Sequence, residues 1–124
     1  MIKLIVSDMD GTLFNSNQEI SPMNLAAIRE AEKQNVRFMI ATGRSVDTIA
    51  PTVKQYDLHC GLILLNGAEV RDEQNHIINT INIDYEKIPE LADMLNRQGY
   101  FPEYMTNKGP QFCGTKKMME ENMG

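Results

Sequence analysis

Long basic runs are missing from this chain. No stretch of Lys or Arg exceeds Lys116-Lys117, and the net charge is −5. Neither nucleic acid nor an anionic membrane surface is the expected partner of such a protein. No apolar run is long enough to span a bilayer. The Met-Ile-Lys start enters an apolar strand at once, without a basic n-region or a small-residue cleavage site, so a cytoplasmic protein is expected. Cysteine is scarce: Cys60 and Cys113 lie far apart and form no C-x-x-C pattern, which fits reduced thiols better than a disulfide or a zinc site. Histidine is as scarce. His59 and His76 have no second ligand at helical or hairpin spacing and read as ordinary surface groups. No G-x-G-x-x-G follows the first strand, which sets a dinucleotide-binding domain aside. Internal repeats and low-complexity tracts are also lacking.

What is present suits one ordinary domain, or one domain and part of another. The chain has 124 residues, 42% of them apolar and 23% charged, enough for a packed core. Residues 2–6 form an apolar, β-branched run that predicts a buried strand. Ser21-Pro22 is a helix-start pair, with Ser as cap and Pro preorganised at the first helical position. The helix it opens is expected over 22–34, with Leu25, Ile28 and Ala31 inward. Residues 36–41 predict a second buried strand, which ends at Thr42-Gly43-Arg44-Ser45. A helix capped by Ser45 is expected over 46–56, with Ile49 and Val53 inward and Pro51 kinking or shortening it. A third buried strand over 62–65 ends at Asn66-Gly67-Ala68. Strand and helix alternate, which predicts right-handed crossovers and a parallel sheet in an α/β fold. Ligands of such sheets sit beyond the carboxyl ends of the strands, where all three polar clusters fall.

After residue 68 the pattern changes. Residues 69–71 and 77–83 predict a hairpin around Asp72-Glu73-Gln74-Asn75. Residues 85–98 predict an amphipathic helix with Ile88, Leu91, Ala92 and Leu95 on one side and Gly99 as its stop. Residues 101–105 and 111–113 predict two antiparallel strands around Asn107-Lys108-Gly109-Pro110, and a last helix is expected from Thr115. Most of Tyr100, Phe101, Tyr104 and Phe112 are expected in the core of this second module, a ligand-facing surface being the alternative, and the nine methionines are expected as adaptable packing.

The most informative motif is Asp8-Met9-Asp10-Gly11-Thr12-Leu13 at the exit of the first strand. Two carboxylates two residues apart can set a nucleophile and a proton donor around one small electrophile. By itself Asp10-Gly11 also reads as a turn, and Asp8 as a helix cap. Thr42-Gly43-Arg44 offers a hydroxyl, a glycine N–H and a helix start, an anion-binding corner that many simple turns also resemble. Asn66-Gly67 is a common turn. The weight lies in the three clusters standing at three successive strand ends.

Together, D-M-D-G-T-L after an apolar strand, then T-G-R, then N-G-A before a hairpin, resemble the haloacid dehalogenase-like (HAD) phosphatase superfamily. Within it the chain is similar to the Cof-type branch, whose cap is inserted after the third core strand. The resemblance covers essentially all of the chain. It implies a Rossmann-like, parallel, three-layer HAD core, of which residues 1–82 supply the N-terminal half with the first three strands and a hairpin. Residues 83–124 would then begin an α+β cap. It implies a phosphohydrolase of small, sugar-phosphate-like metabolites that works through an aspartyl-phosphate. Asp8 would be the nucleophile and a Mg²⁺ ligand. Asp10 would be the acid and base, with its backbone carbonyl on the metal. Thr42 and the Gly43 N–H would bind phosphoryl oxygens, Gly11 would allow close approach of the backbone, and Thr12 would brace the loop. Arg44 and Asn66 would stand on the substrate side or just behind it.

The same resemblance implies a later lysine and a G-D-x-x-N-D cluster, and neither occurs. Lys116, Lys117, Glu120 and Glu121 stand in the cap segment and read as solvated helix residues. The expectation is therefore the N-terminal part of a longer enzyme, weakly active or inactive alone. A second copy or a swapped copy would then cover the open apolar edge of the first strand. The competing expectation is a non-catalytic phosphate-binding or interaction module that keeps the fold. A receiver-like switch is disfavoured, because Asn66 stands where its phosphoacceptor Asp should be at the end of the third strand.

Overall fold

The computed structural model describes residues 1–106 and 108–112. The chain divides into two compact units, Met1–Ile81 and Asn82–Gly124. The helix expected from Thr115, with Cys113 and the methionines and charged residues beyond it, lies outside the described residues.

The first unit is built on five strands: β1 (Leu4–Asp8), β2 (Arg37–Ala41), β3 (Gly61–Leu64), β4 (Glu69–Arg71) and β5 (Ile77–Thr80). They lie in the order β1-β2-β3-β4-β5. The β1–β2 and β2–β3 pairs are parallel, and the last two pairs are antiparallel. This is the α/β sheet with a hairpin that the alternating pattern predicts.

Helix α1 (Pro22–Lys33) crosses from β1 to β2, and α2 (Val46–Gln55) from β2 to β3. Ser21 caps α1 as expected, its side chain accepting the Asn24 N–H at 3.1 Å. Ser45 stands at the N-cap of α2 but makes no capping bond with its side chain. It is buried, and its carbonyl accepts the Thr48 hydroxyl at 2.9 Å. Pro51 neither ends nor shortens α2, which runs on to Gln55. Ile49 and Val53, one on each side of Pro51, hold the helix to the core and offset the missing backbone bond.

One cluster makes the core. Ile28 of α1 and Ile49 of α2 join Phe38, Ile40, Leu62 and Leu64 of the sheet, with Cys60, Leu58, Met9 and Phe14. Gly61 of β3 lies under the Met39 side chain of β2 and beside the backbone of β4, so a Cβ there would stand 2.8 Å from Met39 Cε and 3.1 Å from the Arg71 carbonyl oxygen.

The first strand departs from expectation. It runs two residues further than the apolar run, to Asp8, and Leu4, Ile5 and Val6 are exposed rather than buried. An apolar run reports the tendency to be covered, but β1 is an edge strand paired only with β2 among the described residues.

The hairpin β4–β5 turns at Asp72, whose Oδ1 accepts the N–H groups of Gln74 and His76 at 2.9 and 2.8 Å. Hydrogen bonds from Arg37, first of all, and its charge hold the Glu73 carboxyl below the usual carboxylate range. Arg71 donates to Glu69 at 2.6 Å, a largely buried pair beside the core. His59 is exposed, and His76 Nδ1 lies 3.3 Å from Asp72 Oδ2 within the turn.

In the second unit a single 3₁₀ turn, Tyr85–Lys87, leads into α3 (Ile88–Arg97). Gly99 follows the helix with φ of +85°, a left-handed stop that glycine takes without strain. Ala92 is buried and Ile88, Leu91 and Leu95 are half-buried, the expected inward side. Strands β6 (Glu103–Thr106) and β7 (Gly109–Phe112) pair antiparallel, Thr106 opposite Gly109. The turn is thus tighter than expected, and Gly109 and Pro110 belong to the strand. Of the aromatic residues expected in this unit's core, Phe101 and Tyr104 are half-buried and Tyr100 is exposed. No helix among the described residues is long and apolar enough to cross a membrane.

Candidate active site

The sheet register gathers the three polar clusters. Asp8 is the last residue of β1 and lies opposite Ala41, the last residue of β2, which lies opposite Ile63. Asp8, Thr42 and the turn Leu65–Gly67 therefore occupy neighbouring strand ends.

The segment after β1 is a wide turn. The Phe14 N–H donates to the Met9 carbonyl at 2.9 Å, closing a loop over Met9–Leu13. Its apolar members Met9, Leu13 and Phe14 plug into the core, which leaves Asp8, Asp10, Gly11 and Thr12 on the outside. Gly11 makes the turn with φ of +75°, and a Cβ there would meet nothing within 4 Å. Its requirement is thus conformational rather than steric. The Asn24 side-chain amide, in the first turn of α1, donates to the Leu13 carbonyl at 3.4 Å and ties the loop to that helix.

Two side-chain bonds fix the carboxylates. Thr12 Oγ1 donates to Asp8 Oδ2 at 3.2 Å, so Thr12 braces the acid itself. Asp10 faces Arg44: Nε donates to Oδ2 at 3.0 Å and Nη2 to Oδ1 at 2.5 Å, a two-pronged pair.

The second cluster is held just as closely. Thr42 is buried, its N–H donates to the Ile63 carbonyl at 2.9 Å, and its Oγ1 accepts the Arg44 N–H at 3.1 Å. That leaves the Thr42 hydroxyl proton to donate elsewhere. The third cluster closes on the second. The Asn66 N–H donates to the Thr42 carbonyl and the Leu65 N–H to the Arg44 carbonyl, each at 3.2 Å. A Cβ on Gly43 would stand 3.0 Å from Asn66 Oδ1, so a glycine there leaves room for the Asn66 amide. Leu65 and Asn66 both take positive φ, 51° and 56°, a tight reversal that delivers these two N–H groups.

All eight residues singled out in the sequence thus stand on three adjoining loops, joined by the bonds just given. Two participants have no signal in the sequence. Phe14 lies beneath Arg44, its ring centroid 5.8 Å from the guanidinium carbon, and Leu65 acts only through its backbone. Aromatic and leucine residues beside a glycine turn are too common to mark either role.

The oxygen donors suit Mg²⁺ in kind. It takes one or two carboxylates with water and phosphate oxygens, and the Asp8 carboxylate and the Asp10 carbonyl are hard oxygens on one loop. Among the described residues no group of three or more His, Cys, Asp or Glu converges to hold a metal.

Comparison with known proteins agrees with this picture. Residues 5–122 match the haloacid dehalogenase-like hydrolase family. A Bacillus subtilis protein named 5-amino-6-(5-phospho-D-ribitylamino)uracil phosphatase YcsE is 35% identical over 120 residues, covering 86% of this chain and 48% of that protein. A Streptococcus pyogenes protein named as a putative phosphatase is 37% identical over 113 residues, covering 87% of this chain and 42% of that one. The chain spans between about a third and a half of the length of the curated relatives it matches. In fold, it resembles a haloacid dehalogenase-like hydrolase from B. subtilis with a TM-score of 0.81 at 24% identity, over 97% of this chain and 42% of that structure. A HAD phosphatase from Bacteroides thetaiotaomicron gives 0.80 at 22% identity, over 98% and 45%. The chain belongs to the haloacid dehalogenase-like hydrolase family, in its Cof-type branch.

Proposed function

We propose that the chain carries the nucleophile half of a phosphohydrolase acting on small phosphorylated metabolites. The observation that carries this reading is Asp8, at the end of a parallel strand, braced by Thr12 and set beside the Thr42 corner. An Asp8 carboxylate oxygen attacks phosphorus and forms a new P–O bond while the bond to the leaving oxygen breaks. The Asp10 carboxyl gives its proton to that leaving oxygen. The resulting Asp10 carboxylate then takes a proton from water, whose oxygen attacks phosphorus. Inorganic phosphate departs and Asp8 is restored. This is covalent catalysis joined to acid–base catalysis.

Thr42 and Gly43 supply donors to the phosphoryl oxygens, with Asn66 beside them. Asp8 and the Asp10 carbonyl would hold Mg²⁺, which when bound offsets the charge of the phosphoryl oxygens. Residues 1–82 form the first part of the catalytic core and residues 83–124 the beginning of a cap, and the substrate class follows the phosphatases that the chain resembles. The setting is cytoplasmic.

The test is phosphate release from an aryl phosphate with Mg²⁺. It is run on the chain alone and on the chain joined to the remaining half of the B. subtilis relative. Asp8→Asn should abolish release in whichever form is active. Equal rates for the wild type and Asp8→Asn would sink the reading and favour a binding module.

A further inference from the structure

Arg44 is held more completely than an anion-binding side chain on a loop needs to be. Its N–H donates to Thr42 Oγ1 at 3.1 Å, and its carbonyl accepts the Leu65 N–H at 3.2 Å. Its guanidinium lies over the Phe14 ring at 5.8 Å, and that ring is buried. Backbone and head group are thus both fixed before any ligand arrives. The fork then meets Asp10, 34 residues earlier, with one nitrogen on each carboxylate oxygen.

A carboxylate has about four acceptor sites, and a two-pronged arginine takes two of them. The other two stay on the outer edges of the group, in a plane that Arg44 now sets. Without Arg44, Asp10 would turn about its side-chain bonds in a partly exposed site. Stability does not explain the pair well, since the carboxylate is 53% exposed and exposed ion pairs contribute little.

We propose that Arg44 is a positioning residue for Asp10, aiming its carboxyl at the leaving oxygen of the phosphoester. The inference rests on the reading of Asp10 as proton donor and goes beyond it, because it assigns Arg44 to the leaving-group side of the reaction rather than to the phosphoryl group. It also makes the aromatic platform at Phe14 part of the same device.

The two assignments differ in what they make sensitive to Arg44. A residue that grips the phosphoryl group serves every phosphoester alike. A residue that aims the proton donor matters most when the leaving oxygen is a poor one. A nitrophenolate leaves without a proton, and an alkoxide does not.

The experiment compares Arg44→Ala and Arg44→Lys with the wild type, in the active form defined above, on a nitrophenyl phosphate and on an alkyl phosphate. For Arg44→Ala, kcat on the alkyl ester should fall by about 10²-fold, the scale of a misplaced proton donor, and kcat on the nitrophenyl ester by far less. Arg44→Lys keeps the charge but not the fork, and should restore little of the alkyl activity. Added guanidinium should restore part of it in Arg44→Ala. Equal losses on both esters, or a rise confined to KM, would overturn the proposal while leaving the hydrolase reading intact.

If no form hydrolyses either ester, a second measurement decides. The Arg44 side-chain Nε–H is followed by NMR in the chain and in Asp10→Asn. A slow-exchanging Nε–H that Asp10→Asn accelerates supports the pairing. An Nε–H indifferent to that change would overturn it.

Discussion

Strands β1 and β2 are neighbours in one sheet and each carries an apolar run, yet they live in different surroundings. Leu4, Ile5 and Val6 are 46%, 41% and 48% exposed, while Phe38 and Met39, the partners of Ile5 and Val6, are 4% and 8% exposed, and Ile40, opposite Ser7, is 0% exposed. The difference is one of neighbours. β2 has a strand on each side and helices over one face, and β1 has a strand on one side only among the described residues. Both strands nonetheless end in parts of the same site, Asp8 on one and Thr42 on the other. The proposed nucleophile is therefore carried by the less protected of the two strands, and the corner beside it follows the better protected one. Where the chemistry sits and where the stability sits are separable in this unit.

Four measurements can break or sharpen that separation. The largest effect is expected at Ile40. Truncation to Ala removes a fully buried side chain between helix and sheet and should cost about 2–5 kcal/mol in denaturant unfolding. The matching change Ile5→Ala should cost about 1 kcal/mol or less, scaled by the area that it already leaves to water. Similar losses at the two sites would erase the comparison.

Next comes Gly61→Val on β3. Its new atoms meet Met39 Cε and the Arg71 carbonyl, and overpacking of this kind costs about 1–3 kcal/mol. A neutral result would show that the Met39 side chain and the Arg71 carbonyl give way around Gly61 more easily than their distances imply.

A pH series tests the same core. Burial first, and then the charges of Glu32 and Glu73, push the Cys60 thiol from its ordinary 9.0 to about 11. The native state therefore holds the thiol proton more tightly than the unfolded chain does. The stability this contributes is complete below pH 9.0 and is lost as pH rises toward about 11. Cys60→Ala should flatten that decline, and an unchanged slope would mean that the thiol is not enclosed.

The smallest effect is read by amide hydrogen exchange. Amides of β2 should exchange only on global unfolding, and those of β1 through smaller openings. Uniform protection across both strands would show that β1 is covered in solution.

Much of this was legible from the sequence. Ser21-Pro22 marked the start of α1 because capping is local chemistry, and Gly99 marked the end of α3 for the same reason. The motif positions were legible because a parallel sheet sends its strand ends to one edge. What was not legible depends on partners distant in the chain. The apolar run of β1 by itself pointed to a buried strand, and its open edge was legible only through the later motifs that the resemblance implies and the sequence lacks. Pro51 looked like a break because the holds of Ile49 and Val53 on the core do not show in a local pattern. Gly109-Pro110 looked like turn residues, although the pairing of Thr106 with Gly109 puts them in β7. The fork of Arg44 on Asp10 joins residues 34 apart, and nothing in either motif announces it.

The central claim is that Asp8 takes the phosphoryl group. The direct measurement is to quench the chain with an aryl phosphate and Mg²⁺, to reduce the acyl phosphate with borohydride, which releases phosphate and leaves homoserine in place of the phosphorylated aspartate, and to map the homoserine-labelled peptide by mass spectrometry. The expected result is a label on Asp8 that Asp8→Asn removes and that persists longer in Asp10→Asn. A label on any other residue, or phosphate release that survives in Asp8→Asn, would contradict the account.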